Sequence, residues 1–174
     1  MKRTYNIVIN SLIAIVAVLA ILLVGVRLFG IKPYTVLSGS MKPVYPVGSL
    51  LYVVDAEVEK LEVGDPITFD LDGTTVTHRI IEIEEDSSVG PTFRTKGDAN
   101  DIPDGQPITP SQILGRPVFC IPYLGYLAFF VQNPPGLYVA VGICVILLLL
   151  SLAADIIFSV GKKKESSSES EEKA

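Results

Sequence analysis

The 174-residue sequence predicts a mainly β domain flanked by an N-terminal and a C-terminal transmembrane helix. Three observations predict it. Two apolar stretches, residues 7–29 and 137–158, each approach the roughly 20 residues that a helix needs to cross a bilayer. The section between them carries short alternating, β-branched runs separated by Gly, Pro and Asp turn signals. The chain is 49% hydrophobic, and the excess is concentrated in the two flanking stretches.

Residues 1–6 form a short N-terminus that contains Lys2 and Arg3. Within 7–29 the polar interruptions are Asn10, Ser11 and Arg27. A cleaved signal peptide is the alternative for this stretch. Its apolar core runs past the roughly 7–15 residues of a signal h-region, and no small-x-small site follows, so an uncleaved anchor is expected. Lys162, Lys163 and Lys164 follow the second stretch. By the positive-inside rule both termini lie in the cytoplasm and residues 30–136 lie outside, on a protein that crosses the cell membrane twice. Residues 159–174 are Ser/Glu-rich and read as a disordered cytoplasmic tail.

In the outer domain, the apolar run 49–54 after Pro46 and Gly48 predicts a buried strand. Gly64-Asp65-Pro66 marks a turn, and residues 67–70 a strand leading to a hairpin turn at Asp72-Gly73. Residues 74–83 alternate and are β-branched, which suits a long strand carrying His78. Residues 87–91 read as a turn, and 92–95 as a short strand running into Gly97-Asp98. Residues 121–132 are apolar and aromatic, with Tyr123, Tyr126, Phe129 and Phe130. They suit either the membrane interface or packing against the β domain. No internal repeat is visible.

Charge and cysteines narrow the chemistry. Residues 30–136 hold fourteen Asp or Glu against seven Lys or Arg, a net charge near −7 beside −5 for the whole chain. An acidic outer domain repels phosphates, which argues against nucleic acid; its plain meaning is solubility. Cys120 and Cys144 are the only cysteines, and Cys144 falls in the second apolar stretch. A disulfide, a metal site or an organic cofactor is therefore not expected.

The candidate chemistry lies between the anchors. Ser40 sits in Ser38-Gly39-Ser40-Met41-Lys42-Pro43, about ten residues beyond the first apolar stretch. A serine hydroxyl needs a neighbouring base to act as a nucleophile. His78 is the sole histidine, and imidazole titrates near neutrality. Lys60 or Lys96 could serve instead, but a base lysine needs burial, and Lys60 lies among Glu57, Glu59 and Glu62. A carboxylate that orients the imidazole completes such a site, and an acidic cluster lies downstream of His78. Taken singly, Ser40 reads more readily as a turn serine and His78 as a strand histidine.

Four blocks in order resemble a type I signal peptidase of the ER-type branch, in the peptidase S26 family. Ser38-Gly39-Ser40-Met41-Lys42-Pro43 resembles the nucleophile block, and Gly64-Asp65-Pro66-Ile67 the turn and strand that follow. Thr77-His78-Arg79-Ile80 resembles the base block, where the bacterial branch has lysine. Lys96-Gly97-Asp98-Ala99-Asn100 through Asp104 resembles the acidic block. Lys42 stands where an acidic residue is usual, and Asp101 adds a carboxylate to the acidic block.

The resemblance implies a signal-peptidase-like β fold and a membrane-bound serine endopeptidase. Ser40 is implied as nucleophile, His78 as general base and Asp104 as the orienting acid, with Asp98 the other acidic member. Ser38 and the Ser40 amide are implied as oxyanion donors. The implied partners are signal peptides of secretory preproteins, the lipid bilayer and the translocation machinery, with small residues at positions one and three before the cut. Two other readings stand beside this one: a protease dedicated to a few exported proteins, and a catalytically silent membrane-anchored β domain in an assembly.

Overall fold

The computed structural model of the chain describes residues 2–86 and 90–153. Of the turn expected at 87–91, residues 87–89 lie outside the described residues and residues 90 and 91 are strand; the end of the second apolar stretch, the lysines at 162–164 and the tail also lie outside the described residues.

The described chain contains three helices, α1 Lys2–Leu23, α2 Leu124–Gln132 and α3 Gly136–Ala153. Both α1 and α3 are long and apolar enough to cross a membrane. They belong to one of two compact units, which takes in the described residues up to 22 and from 131 onward, and the Tyr5 hydroxyl of α1 donates to the Leu150 carbonyl of α3 at 3.1 Å. A 3₁₀ turn, Gly25–Phe29, follows α1.

The second unit, Leu23–Phe130, is the β domain. It has six strands: β1 Lys32–Thr35, β2 Leu50–Val54, β3 Pro66–Leu71, β4 Thr74–Asp86, β5 Gly90–Lys96 and β6 Ile113–Ile121. Their order is β1-β2-β6-β3-β4-β5, and every pairing is antiparallel. The apolar run predicted at 49–54 is β2, whose first four residues are buried. The hairpin predicted at Asp72-Gly73 joins β3 to β4, with pairs running from Leu71↔Thr74 to Pro66↔Arg79. Both turn residues are left-handed, with φ of 51° and 82°, the conformation that suits the twist of a two-residue hairpin and favours Asp-Gly. The Asp70 carboxylate accepts from the Gly73 N–H at 2.9 Å and stiffens the turn.

Strands β1 and β6 carried no sequence signal. β6 pairs with β3 through Ile113 and Gly115, then with β2 from Arg116 to Ile121. It changes partner at Gly115, which has φ of 147° and lies so near the Val54 carbonyl that a side chain there would collide with it.

Two apolar clusters hold the domain together. Leu61, Ile67, Phe69, Ile80, Phe93 and Ile108 pack under the β3–β4–β5 side. Leu23, Leu50, Tyr52 and Ala128 pack together on the β2 side, so α2 closes that face of the sheet. Burying a side chain of this size contributes about 1.5–3 kcal/mol. The aromatic stretch of α2 divides accordingly: Ala128 is buried, whereas Tyr126, Phe129 and Phe130 are exposed.

Candidate active site

Ser40 lies on the loop between β1 and β2. The loop is closed at its base, where Val36 N–H donates to the Ser49 carbonyl at 2.9 Å and Gly48 N–H to the Val36 carbonyl at 2.8 Å. Its tip is wound into turns, with Lys42 N–H on the Gly39 carbonyl at 3.1 Å and Tyr45 N–H on the Met41 carbonyl at 2.9 Å. Met41 is buried and anchors the tip. The Ser40 carbonyl accepts from Ala99 N–H at 2.8 Å, which ties the serine loop to the Gly97–Asn100 turn. Gly97 permits this approach, since a Cβ there would stand 2.7 Å from the Ser40 carbonyl oxygen. The Ser38 and Ser40 hydroxyls are 3.2 Å apart.

His78 lies on β4, opposite Ile67. It is 8% exposed and meets the Phe69 ring edge-on, with centroids 6.3 Å apart. Its Nδ1 is 2.6 Å from Asp104 Oδ2. An ionised carboxylate can only accept, so Nδ1–H donates to it, and in the neutral imidazole Nε2 is then the acceptor. The same Asp104 oxygen accepts from the Thr95 hydroxyl at 2.6 Å.

Asp98 goes elsewhere. It accepts two bonds from Arg79, at 2.8 Å from Nε and 2.7 Å from Nη2, and the third guanidinium nitrogen donates to the Gly64 carbonyl at 2.7 Å. The reason is the pleat. Successive residues of a strand point to opposite faces, so His78 and its neighbour Arg79 cannot share one carboxylate. The Arg79 guanidinium hydrogen-bonded to Asp98 holds its carboxyl below the usual carboxylate range. The same bonds raise Arg79 further.

Ser38, Ser40 and His78 line one cleft of about 620 Å³. Val36, Leu37, Met41, Tyr45, Leu51 and Val76 give it apolar walls, and the residues 73–77 that lead into His78 border it. Burial pushes the Tyr45 phenol up, so it faces the cleft uncharged at neutral pH. Among the described residues, no lysine lines the cleft. Lys60 is exposed and paired with Glu57 at 2.7 Å. Among the described residues, no three His, Cys, Asp or Glu side chains are grouped to hold a metal.

An apolar cleft with a hydroxyl, an imidazole and a carboxylate bonded to that imidazole can carry out nucleophilic acyl transfer. Sequence reasoning singled out Ser38, Ser40, His78, Asp98 and Asp104. It passed over Arg79 and Thr95, whose partners lie across a strand pair and a loop.

The family described as signal peptidase, peptidase S26, matches residues 9–87. The chain is similar to signal peptidase I W of Bacillus subtilis, 37% identical over 122 residues, which are 65% of this chain and 64% of that protein. It is 29% identical over 109 residues to the SEC11C catalytic subunit of the signal peptidase complex of Homo sapiens, covering 58% of this chain and 57% of that one. The sec11 catalytic subunit of the signal peptidase complex of Dictyostelium discoideum is 33% identical over 111 residues, 59% of this chain and 62% of that protein. The chain thus spans less than two thirds of each of these relatives.

Proposed function

We propose that this chain, whose residues 9–87 match the family described as signal peptidase, peptidase S26, is a membrane-bound serine endopeptidase that removes N-terminal signal peptides from translocated proteins. The observation that carries the reading is the cleft lined by both Ser40 and His78, with the far side of the imidazole bonded to Asp104.

In this reading His78 Nε2 takes the Ser40 proton as Oγ attacks the scissile carbonyl. The imidazolium then protonates the leaving amine, and the C–N bond breaks to leave an acyl-serine. Water then attacks the acyl carbon and gives its proton to the same nitrogen; the C–Oγ bond breaks, Ser40 Oγ takes that proton back, and the new carboxyl product leaves with the serine and imidazole restored. Asp104 fixes the tautomer and stabilises the imidazolium in each half. The Ser40 amide and the Ser38 hydroxyl are the donors for the oxyanion; fixed donors there contribute about 3–4 kcal/mol. The apolar walls suit small uncharged side chains before the cut. Asp98 is assigned to Arg79 and to the turn beneath Ser40, not to proton transfer.

The proposed topology has two spans, both ends cytoplasmic and residues 30–136 outside. The Tyr5–Leu150 hydrogen bond supports it, because it joins the start of α1 to the end of α3. Substrate and enzyme would then share one membrane plane, which raises their effective concentration.

The test is cleavage of a preprotein by the purified protein in liposomes, with labelling by a serine-reactive covalent probe. Wild type should release the signal peptide and take up the probe, and Ser40→Ala should do neither. A wild type inert to both would refute the enzyme reading.

A further inference from the structure

Asp104 Oδ2 accepts two short hydrogen bonds, one from the imidazole and one from the Thr95 hydroxyl. We propose that Thr95 is a positioning residue for the site, its hydroxyl holding the Asp104 carboxylate in the one orientation that keeps His78 ready to act as base. The proposal rests on the serine-protease reading above.

Asp104 is not itself on a strand. It belongs to the loop after β5, where an aspartate would be free to swing about its side-chain bonds. Thr95 is the reverse case. It is fully buried, lies in β5 opposite Ile80 of β4, and so shares a sheet face with Ile80 and His78. Its hydroxyl position is therefore set by the sheet. The Asp104 N–H also donates to the Thr95 carbonyl at 2.8 Å. One residue thus fixes both the backbone and the side chain of the aspartate.

A threonine has one hydroxyl proton, and here it is given to the carboxylate. Without it, Asp104 and His78 would orient only each other. The loop-borne carboxylate could then swing and draw the imidazole with it, keeping their mutual bond while Nε2 turns away from the cleft. The strand-borne hydroxyl is the third point that removes this freedom.

The chain has one histidine, so nitrogen NMR of the imidazole reads His78 without ambiguity. The experiment uses full-length protein in micelles, comparing wild type, Thr95→Val and Thr95→Ser by imidazole spectrum, kcat and KM for a preprotein. Valine keeps the buried volume and removes the donor; serine keeps the donor. The wild type should show a single Nδ1–H tautomer. Thr95→Val should give a tautomer mixture and a kcat about ten- to hundredfold lower, the scale of one lost hydrogen bond to a charged group, with KM held. Thr95→Ser should restore both readouts. If Thr95→Val does not fold, Thr95→Ala carries the same comparison with serine. An unaltered imidazole spectrum and kcat in the donor-free variant would overturn the proposal. Equal damage in Thr95→Ser would overturn it too, by assigning the role to the methyl group. A wild type that cleaves no preprotein would refute the function instead, while the imidazole spectrum would still decide the role of Thr95.

Discussion

Two aspartates six positions apart, Asp98 and Asp104, end on different partners because His78 and Arg79 are neighbours on a strand. Their substitutions should therefore fail differently. Asp104→Asn should keep the fold and lower turnover by about 10⁴-fold, the cost of a wrong tautomer in a serine-protease triad. Asp98→Asn should lose mainly stability, read by thermal melting beside turnover; a stable but inactive Asp98→Asn would reverse the assignment. Ser40→Ala and His78→Ala should each remove at least about three orders of magnitude, and the double variant no more than either alone, because members of one unit do not add. Acid supplies a further check. Asp98 is held below its ordinary value near 3.8 by the Arg79 hydrogen bonds. Its charged form is thus favoured more in the folded chain than in the unfolded one. Its stabilising contribution is complete above the unfolded carboxylate value and lost as pH falls through the lower folded value. Melting followed by circular dichroism should show the gap between wild type and Asp98→Asn close over that acidic range. The sequence offered both aspartates as candidates from their block alone. The resemblance implied Asp104 as the orienting acid, but that Asp98 serves Arg79 was out of the sequence's reach, because it depends on which face of β4 each partner occupies.

At the scale of elements, what could be read were the strands with local signals. β2 is a continuous apolar run, and β3 and β4 alternate around an Asp-Gly turn. β1 and β6 escaped for physical reasons. β1 is four residues long, contains Pro33 and pairs with β2 alone. β6 holds Gly115 and Pro117, which read as breakers, and its partners lie 40 or more positions upstream. α2 depends on a similarly tight contact. A Cβ on Gly125 would run into the Ser49 carbonyl, which is backbone and cannot turn aside. Gly125→Ala should therefore cost about 1–3 kcal/mol and lower the melting temperature by several degrees. An unchanged melting temperature would show that α2 is free to lift from the sheet.

For the whole molecule, the two apolar helices were the plainest reading of the sequence, since a run of that length needs no tertiary context to be recognised. The proposed topology makes a simple prediction. A tag placed after Ala174 should survive protease added outside intact spheroplasts, whereas one inserted at the Asp72-Gly73 hairpin should be removed. Digestion of the C-terminal tag from outside would rule out two spans with cytoplasmic ends. The late position of β6 bears on the timing of activity during synthesis. Ser40, His78 and Asp104 all leave the ribosome before Ile113 does, yet the strand that joins the β1–β2 pair to β3–β5 is made last. A growing chain at that stage carries every reactive group but lacks the strand that joins the β1–β2 pair to β3–β5, so on the proposed mechanism it would be inert while its own N-terminal helix is being inserted. Stalled chains extended just far enough for residue 105 to clear the ribosome should not label with a serine-reactive probe, and chains extended far enough for residue 121 to clear it should begin to.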